Sequence, residues 1–465
     1  MTLFTRIKRW FEKVFKQQAR EDFGIKQVNS SNMDELITMC ARVYSGAPDW
    51  LDEDVYTTNF AKIISSEIAR LATLAINVQV DGSPRAEWLQ SVIDNTTYFQ
   101  LRHWVEYGAA YGTVILKPSG DNVAMVTPTD FIVVDHHNED ITAAVFVDHA
   151  EDNGTYYTKL EYHRFEGDVY IVTNRVYASN SKDKVGDLVS IENSPWSDLQ
   201  PEIYITGLTE PLFAVLRMPE ANNVEINSPL GLPVFYNSLT ELKDLDIAYS
   251  RNADEIFNSA RTVLMDSDML LPGGQRVSTS PIAFEQRRED MKLPKFVKSV
   301  YGNGQDEVYH EINPTLNTDT RITGINNLLS QIGYKCGFSN GYFVLDQKTG
   351  MITATQVEAD DRRTIHTIKD VRDKLESCID SLLYALNAFA DLYGYAPSGA
   401  YEVVYDFGDI TYNREEDRLR WWQYVTSGKV PAWYFFVKFE GLSEDDAKAL
   451  VAEATPQAPP LFGEE

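Results

Sequence analysis

Apolar residues recur at helical spacing in several long stretches of the chain. The segment RITGINNLLSQIGYKCG, from Arg321, sets Ile322, Ile325, Leu329, Ile332 and Cys336 on one helical face. Further on, Ile365, Ile368, Val371, Leu375, Ile379, Leu382, Leu386 and Phe389 follow at spacings of three and four. This predicts a helix from about Thr355 to Leu392, capped around Thr353–Thr355 and far longer than the average of roughly 11–12 residues. Between the two patterns lies FSNGYFVLDQKTGMITATQV, where Gly337, Gly341 and Gly350 surround Tyr342, Phe343 and Val344. That stretch is too glycine-rich to continue a helix. The prediction is helix–loop–helix, with the loop presented to solvent.

Elsewhere the pattern mixes both periods. Asn32–Leu74 is helical, with Ile63, Ile64, Ile68, Leu71 and Leu74 as its stripe, and Asn77–Val80 alternates as a strand. Trp88–Tyr107 is helical, ended by Gly108 and Gly112 before a strand at Thr113–Lys117. From Val123 to about Phe213 the signature is β (AVFVDHA, TYYTKLEYHRF, DVYIVTNRVY), divided by Asn, Asp and Gly turns and by a polar loop at Ser179–Lys184. After Pro229 and Pro233, the residues Phe235, Leu239, Leu242, Leu245, Tyr249 and Ile256 describe a helix to about Ala260. Thr262–Thr320 is rich in turns, with strand-like Lys295–Val300. Tyr401–Phe407 reads as a strand; Arg414–Tyr424, Ala432–Phe439 and Ser443–Glu453 read as short helices, the last with a capped LSED start. The Pro-rich end, TPQAPPLFGEE, reads as disordered. The fold class is α+β, without an internal repeat.

At 465 residues the chain exceeds the roughly 250–300 at which a single core stops growing, so several structural units are expected. Three scattered cysteines without a CxxC pair argue for a reducing compartment and against a disulfide framework or a zinc site. No run of about 18 apolar residues is present, so no membrane span is expected. The amphipathic start, with Phe4, Ile7, Phe11, Val14 and Phe15 opposed by Arg6, Lys8, Arg9, Lys13 and Lys16, is broken by charge and is no signal peptide. A membrane-surface helix is one reading of it. Packing on a neighbouring subunit, or a flexible arm, is the preferred one, since one short helix of this kind binds membranes only marginally. A soluble cytoplasmic protein without a membrane partner is expected.

The loop region also carries a resemblance. GFSNGYFVLD, then TATQV, then a long helix containing TIHTIKDVRDKL resembles the portal proteins of long-tailed bacteriophages, those of Gram-positive hosts in particular. YGAAYGTVILK with TPTDFIVV is similar to that family's wing, PLGLPVFYNSLTELKDLDIAYSRNADEIFNSARTVL to its approach into the first stem helix, and GKVPAWYFFVKFEGLSEDDAKALV to its closing helical hairpin. The resemblance implies a portal fold along the chain: a basic amphipathic arm (1–21), a helix-rich wing with a β-sheet (22–232), stem helix 1 (233–260), a small α/β clip (261–319), stem helix 2 (320–337), a tunnel loop (338–355), a long helix with return strand of the wing (356–412), a helical crown (413–454) and a disordered tail (455–465). It further implies a homo-oligomeric ring, dodecameric, at one capsid vertex of the virion and assembled in the host cytoplasm. Double-stranded DNA would pass through non-specifically. Terminase, scaffold and major capsid protein, and a head–tail connector or adaptor would be its partners. No catalysis, cofactor or metal is implied.

The net charge of −27, from 42 Lys and Arg against 69 Asp and Glu, excludes a broad grip on DNA, which needs many phosphate-neutralising cations. A conduit has the opposite need, because acidic walls keep a duplex mobile. Within the loop, Asn340, Gln347 and Lys348 are the residues available for phosphate contact, and a ring would repeat each of them around the channel. The alternative chemistry is a metal-dependent phosphoesterase built on Asp135, His136 and His137 at a strand end. Such a site needs further aspartates from a DxD motif. Asp52-Glu53-Asp54 lies in a loop, Asp244-Leu245-Asp246 in mid-helix, and Asp266-Ser267-Asp268 after a helix. The plainer reading of DHHNED is a polar hairpin turn. There is no GxxxxGK[ST], GxSxG or HExxH. Cys336 and Cys378 read as small core residues.

Overall fold

The structure, a computed structural model, describes residues 16–25, 31–120, 122–182, 184–258, 262–266, 297–300, 309–312, 318–345, 362–408, 421–427, 429–440 and 443–454. Helical residues 16–23 precede α1 (Ser31–Tyr44) and α2 (Phe60–Ala72). Next come β1 (Ile76–Asp81), α3 (Pro84–Val92), a π-helical turn (Ile93–Thr97) and α4 (Tyr98–Tyr111). A long β region holds β2 (Thr113–Ser119), β3 (Asn122–Val126), β4 (Phe131–His137), β5 (Asp140–Asp152), β6 (Thr155–Glu166), β7 (Val169–Ser179), β8 (Asp187–Val189), β9 (Glu202–Thr206) and β10 (Ala214–Arg217). Then follow α5 (Leu239–Asn258), β11 (Thr262–Asp266), β12 (Val297–Val300), β13 (Tyr309–Ile312), α6 (Thr318–Lys335) and α7 (Arg362–Tyr393), and finally β14 (Glu402–Phe407), α8 (Ala432–Glu440) and α9 (Glu444–Ala454). The chain is a mixed α+β protein of two compact units: Met1–Thr73 with Asn77–Tyr405, and Leu74–Ile76 with Asp406–Glu465.

In the first unit, β4-β5-β6-β7-β8, with β9 also on β7, form an antiparallel sheet, and β10-β2-β3 form a second. The turns of the larger sheet follow their residues. Asn153 and Gly154 both adopt positive φ between β5 and β6, as an Asn-Gly hairpin requires. One face of this sheet buries Ile132, Val145, Leu160 and Tyr162 under Ala19 and Phe23 of the first helical residues. The other buries Tyr170, Val172 and Ile205 against Ala385 and Ala388 of α7. Helix α7 also packs on β2, β10, α2 and α3. The apolar face predicted for it is the buried one from Ile368 to Leu386, whereas Ile365 and Phe389 are half-buried. Its predicted start at Thr355 lies outside the described residues.

Two expectations change, and one feature has no sequence signal. The helical stretch from Asn32 to Leu74 is two helices, and only Ile64, Ile68 and Leu71 of its stripe are buried; Ile63 and Leu74 are exposed. Gly108 does not end a helix but lies within α4. A Cβ there would stand 3.1 Å from Met218 and 3.2 Å from Leu216, so its lack of a side chain lets α4 lie close on β10. The helix ends at Gly112, where φ is 80° and a Cβ would meet the Gly231 carbonyl at 2.3 Å. Finally, Lys117 and Lys159 are buried, which sequence alone did not suggest.

Those two lysines close a polar network between β2, β5 and β6. Glu161 accepts from Lys117 at 3.0 Å and Lys159 at 2.8 Å, and pairs with His163 Nε2 at 2.7 Å; Lys159 also reaches Asp148 at 2.9 Å. The Tyr170 hydroxyl accepts from the Leu212 amide at 3.0 Å and so donates its own proton to His163 Nδ1 at 2.8 Å. His163 is thereby satisfied as the neutral Nε2–H tautomer. Burial pushes the Glu161 carboxyl up, but Lys117, Lys159 and the His163 hydrogen bond outweigh it and hold it well below the usual carboxylate range. Burial depresses His163 despite Glu161. The three cysteines are buried, and burial pushes each thiol up to about 12.

In the second unit, helical residues 421–426 stack Trp421 on Tyr434 at 5.4 Å and set Trp422 against Phe435 at 5.2 Å, while α8 packs on α9. The predicted start of the crown at 413 and the tail from 455 lie outside the described residues. No described helix is long and apolar enough to cross a membrane.

The unfolded chain protonates His163 near pH 6.5 and Glu161 near pH 4.3, while the fold resists both. Their contribution is therefore complete above about pH 6.5 and is lost as pH falls, first through the histidine range and then through the carboxylate range. Thermal unfolding from pH 8 to pH 4 should show the melting temperature falling in that order. Glu161→Gln should cost about 3 kcal/mol in urea titrations at pH 7.5, because it strips buried lysines of their main counter-charge.

Candidate functional site at the root of the aromatic–glycine loop

Helices α5 and α6 run antiparallel. Glu241 near the start of α5 pairs with Lys335 at the end of α6 at 2.6 Å, and Glu255 near the end of α5 pairs with Arg321. Ile325, Leu329, Ile332 and Cys336 are buried, as the periodicity predicts, and Ile322 is half-buried. On α5, Leu242 and Leu245 are buried while Tyr249 and Ile256 are exposed. Between the two helices, β11 pairs in parallel with β12 and antiparallel with β13.

The chain leaves α6 through a Schellman motif. Gly337 has φ 87°, its amide donates to the Tyr334 carbonyl at 3.3 Å, and the Phe338 amide donates to the Gly333 carbonyl at 2.9 Å. A Cβ on Gly337 would stand 2.6 Å from the Thr367 side chain, whose hydroxyl donates to the Gly337 carbonyl at 2.8 Å. The Ser339 amide donates to Thr364 Oγ1 at 2.8 Å, and Thr364 Oγ1 donates to Ser339 Oγ at 3.1 Å. The root of the loop is thus stitched to the first two turns of α7.

Aromatic packing holds the next residues. Phe338 is buried, with the Tyr342 and Phe343 rings 4.9 Å and 4.8 Å away. Phe343 meets Phe60 of α2 edge-on at 5.2 Å, and the Tyr342 hydroxyl donates to Glu67 of the same helix. Asn326 of α6 binds Leu345 twice, donating to its carbonyl and accepting from its amide, each at 2.8 Å. The expectation of a presented loop therefore fails for the buried residues 337–339, while 341–343 are half-buried and Asn340 is exposed. Three aromatic rings among the glycines supply apolar surface that holds this stretch against the fold, and the glycines provide the turns that let it fold back. The signal was in the sequence, in the rings rather than in the glycines.

Of the predicted phosphate-contact residues, Asn340 is exposed at the tip of this root, while Gln347 and Lys348 lie outside the described residues. Asp135, His136 and His137 end β4 and open a hairpin into β5, with Asn138 at φ 56°. His136 Nδ1 lies 2.8 Å from the Asn138 carbonyl, and Glu139 is held by Arg217 at 3.2 Å and Lys374 at 3.0 Å. The aspartates of the acidic stretches that the sequence places in unsuitable contexts for a metal site are engaged elsewhere. Asp52 accepts from the amides of Asp54 and Val55; Asp246 is buried and accepts from Trp50 and Thr58. Asp266 ends strand β11 rather than following a helix. Among the described residues, no group of three or more His, Cys, Asp or Glu is placed to hold a metal ion.

No protein-family model matches the chain, and no curated protein matches it. Among solved structures it is similar to a chain of the virion of a native gene transfer agent particle. The two share 13% identity at a TM-score of 0.42, over 90% of this chain and 96% of that one.

Replacing Gly337 by alanine forces a side chain into the left-handed region and against Thr367. Urea denaturation should show a loss of about 2 kcal/mol.

Proposed function

We propose that this chain is the subunit of a phage portal: a head-to-tail ring through which double-stranded DNA enters and leaves a capsid. The observation that carries the reading is an order of elements. Paired antiparallel helices α5 and α6 flank a small three-stranded sheet, and a firmly rooted loop then leads towards the 32-residue α7. This is the order of stem, clip, stem, tunnel loop and long wing helix that the resemblance implies. The charge of −27 agrees with a channel that must not bind its cargo. The exposed Tyr249 and Ile256 on α5 suit a neighbouring copy.

In this reading the work is mechanical, without catalysis. A separate terminase drives the DNA, and the connector, scaffold and major capsid protein meet other faces of the ring. Each copy contributes two different faces to its neighbours, as a cyclic assembly requires.

Purified protein at modest salt should run in mass photometry at roughly 630 kDa, twelve times the 52.8 kDa chain, and show a ring with a duplex-wide hole in negative stain. A chain that never assembles, even at high concentration or beside scaffold protein, would overturn the reading. Neutralising Lys348 by substitution with alanine should change DNA retention while leaving ring mass unaltered. Unchanged retention would remove that residue from the channel contacts.

A further inference from the structure

We infer that α2, through Glu67 and Phe60, is the positioning element for the loop that leaves α6. The consequence for DNA rests on the portal reading; the geometry stands without it. The loop root has three sets of attachments. Two come from its neighbours in the chain, α6 (its C-terminal turn and Asn326) and the start of α7, and would hold any helix–loop–helix. The third comes from a helix 275 residues earlier, where Glu67 accepts from the Tyr342 hydroxyl.

That third attachment is built with fixed roles. Arg70 grips the Glu67 carboxylate with two donors, Nη2 at 2.6 Å and Nε at 2.8 Å. The Arg70 hydrogen bonds, aided by that of Tyr342, hold the Glu67 carboxyl below its ordinary range despite burial, so it stays an acceptor at neutral pH. Burial and Glu67 push the Tyr342 hydroxyl up to about 12, so it stays a donor. A hydrogen bond to a charged acceptor is among the stronger kinds. Beside it, the edge-on contact of Phe343 with Phe60 fixes the direction in which the root lies across α2. A displacement of α2 would therefore carry Tyr342 and Phe343 with it, while Leu345 stays tied to Asn326 of α6. In the portal reading, α2 belongs to the wing. Events at the wing would then reach the channel through Glu67 and Tyr342, which act as positioning residues and touch no DNA themselves.

Hydrogen exchange on the full chain tests this. Tyr342→Phe removes the bond and keeps the ring; Glu67→Gln keeps an acceptor without its charge; Glu67→Ala removes both. In Tyr342→Phe and Glu67→Ala, amides of 337–345 should exchange roughly tenfold faster, with Glu67→Gln in between. Exchange in α7 beyond its first two turns and in the large sheet should be unchanged. Unaltered exchange at 337–345, or an equal rise everywhere, would overturn the inference. DNA retention by variant rings of wild-type mass is the second readout and should change. If local exchange rises while retention does not, α2 holds the root but does not position the channel loop, and the inference fails in that form. A wild-type chain that forms no ring would sink the portal reading instead, and the exchange data would still decide whether α2 holds the root.

Discussion

A 32-residue helix with one continuous apolar stripe must find cover along its whole length, about 48 Å at 1.5 Å per residue. Most of the first unit can be understood as the solution to that requirement. Sheet β10-β2-β3 and helices α2 and α3 cover parts of α7, and the large sheet covers Ala385 and Ala388. The polar groups then fix what the apolar ones leave free. Arg372 reaches from α7 to the last carbonyls of α2, at 3.1 Å to both Leu71 and Ala72, and satisfies acceptors that a helix end leaves open. Arg85, almost wholly buried at the start of α3, binds Asn387, Asp391 and the Ala396 carbonyl near the other end of α7. Lys374 ties in the β4–β5 hairpin through Glu139. Thr364 and Thr367 tie in the root of the loop.

Much of this architecture is legible in the sequence, for definite reasons. Helices α6 and α7 each have one apolar face at regular spacing, and a single buried face is what a period reports. The hairpins announce themselves because Asn153-Gly154 can take the left-handed conformations that a two-residue turn demands. What could not be read involves partners distant in the chain. Lys159, Glu161 and His163 alternate with Leu160 and Tyr162, which marks a polar face of β6; only the arrival of Lys117 from another sheet makes that face an interior. Gly108 looks like a stop signal until β10 is seen lying against it. The three rings at the root of the candidate site mark a packed stretch, but the sequence does not show what covers it, for a related cause. Its cover is Phe60, far upstream, so the three rings had no visible place to go.

The distribution of charge follows from the same division between inside and outside. Most of the buried cations meet carboxylates: Lys117 and Lys159 share Glu161 and Asp148, Arg85 meets Asp391 and Arg217 meets Glu139, while Arg372 is held by backbone carbonyls. In each carboxylate pairing, loss of the acid would strand a buried cation in a medium that solvates it poorly. These pairs are close to neutral, so the net charge of −27 comes from the other residues of the chain.

The three buried thiols have a consequence outside folding. A thiol reacts as its thiolate, and burial keeps that form negligible at neutral pH for Cys40, Cys336 and Cys378. The native protein therefore offers maleimides and disulfide-forming reagents no ready target. A single cysteine introduced on the surface could be tagged, cross-linked or immobilised site-selectively, with the wild-type background left in place.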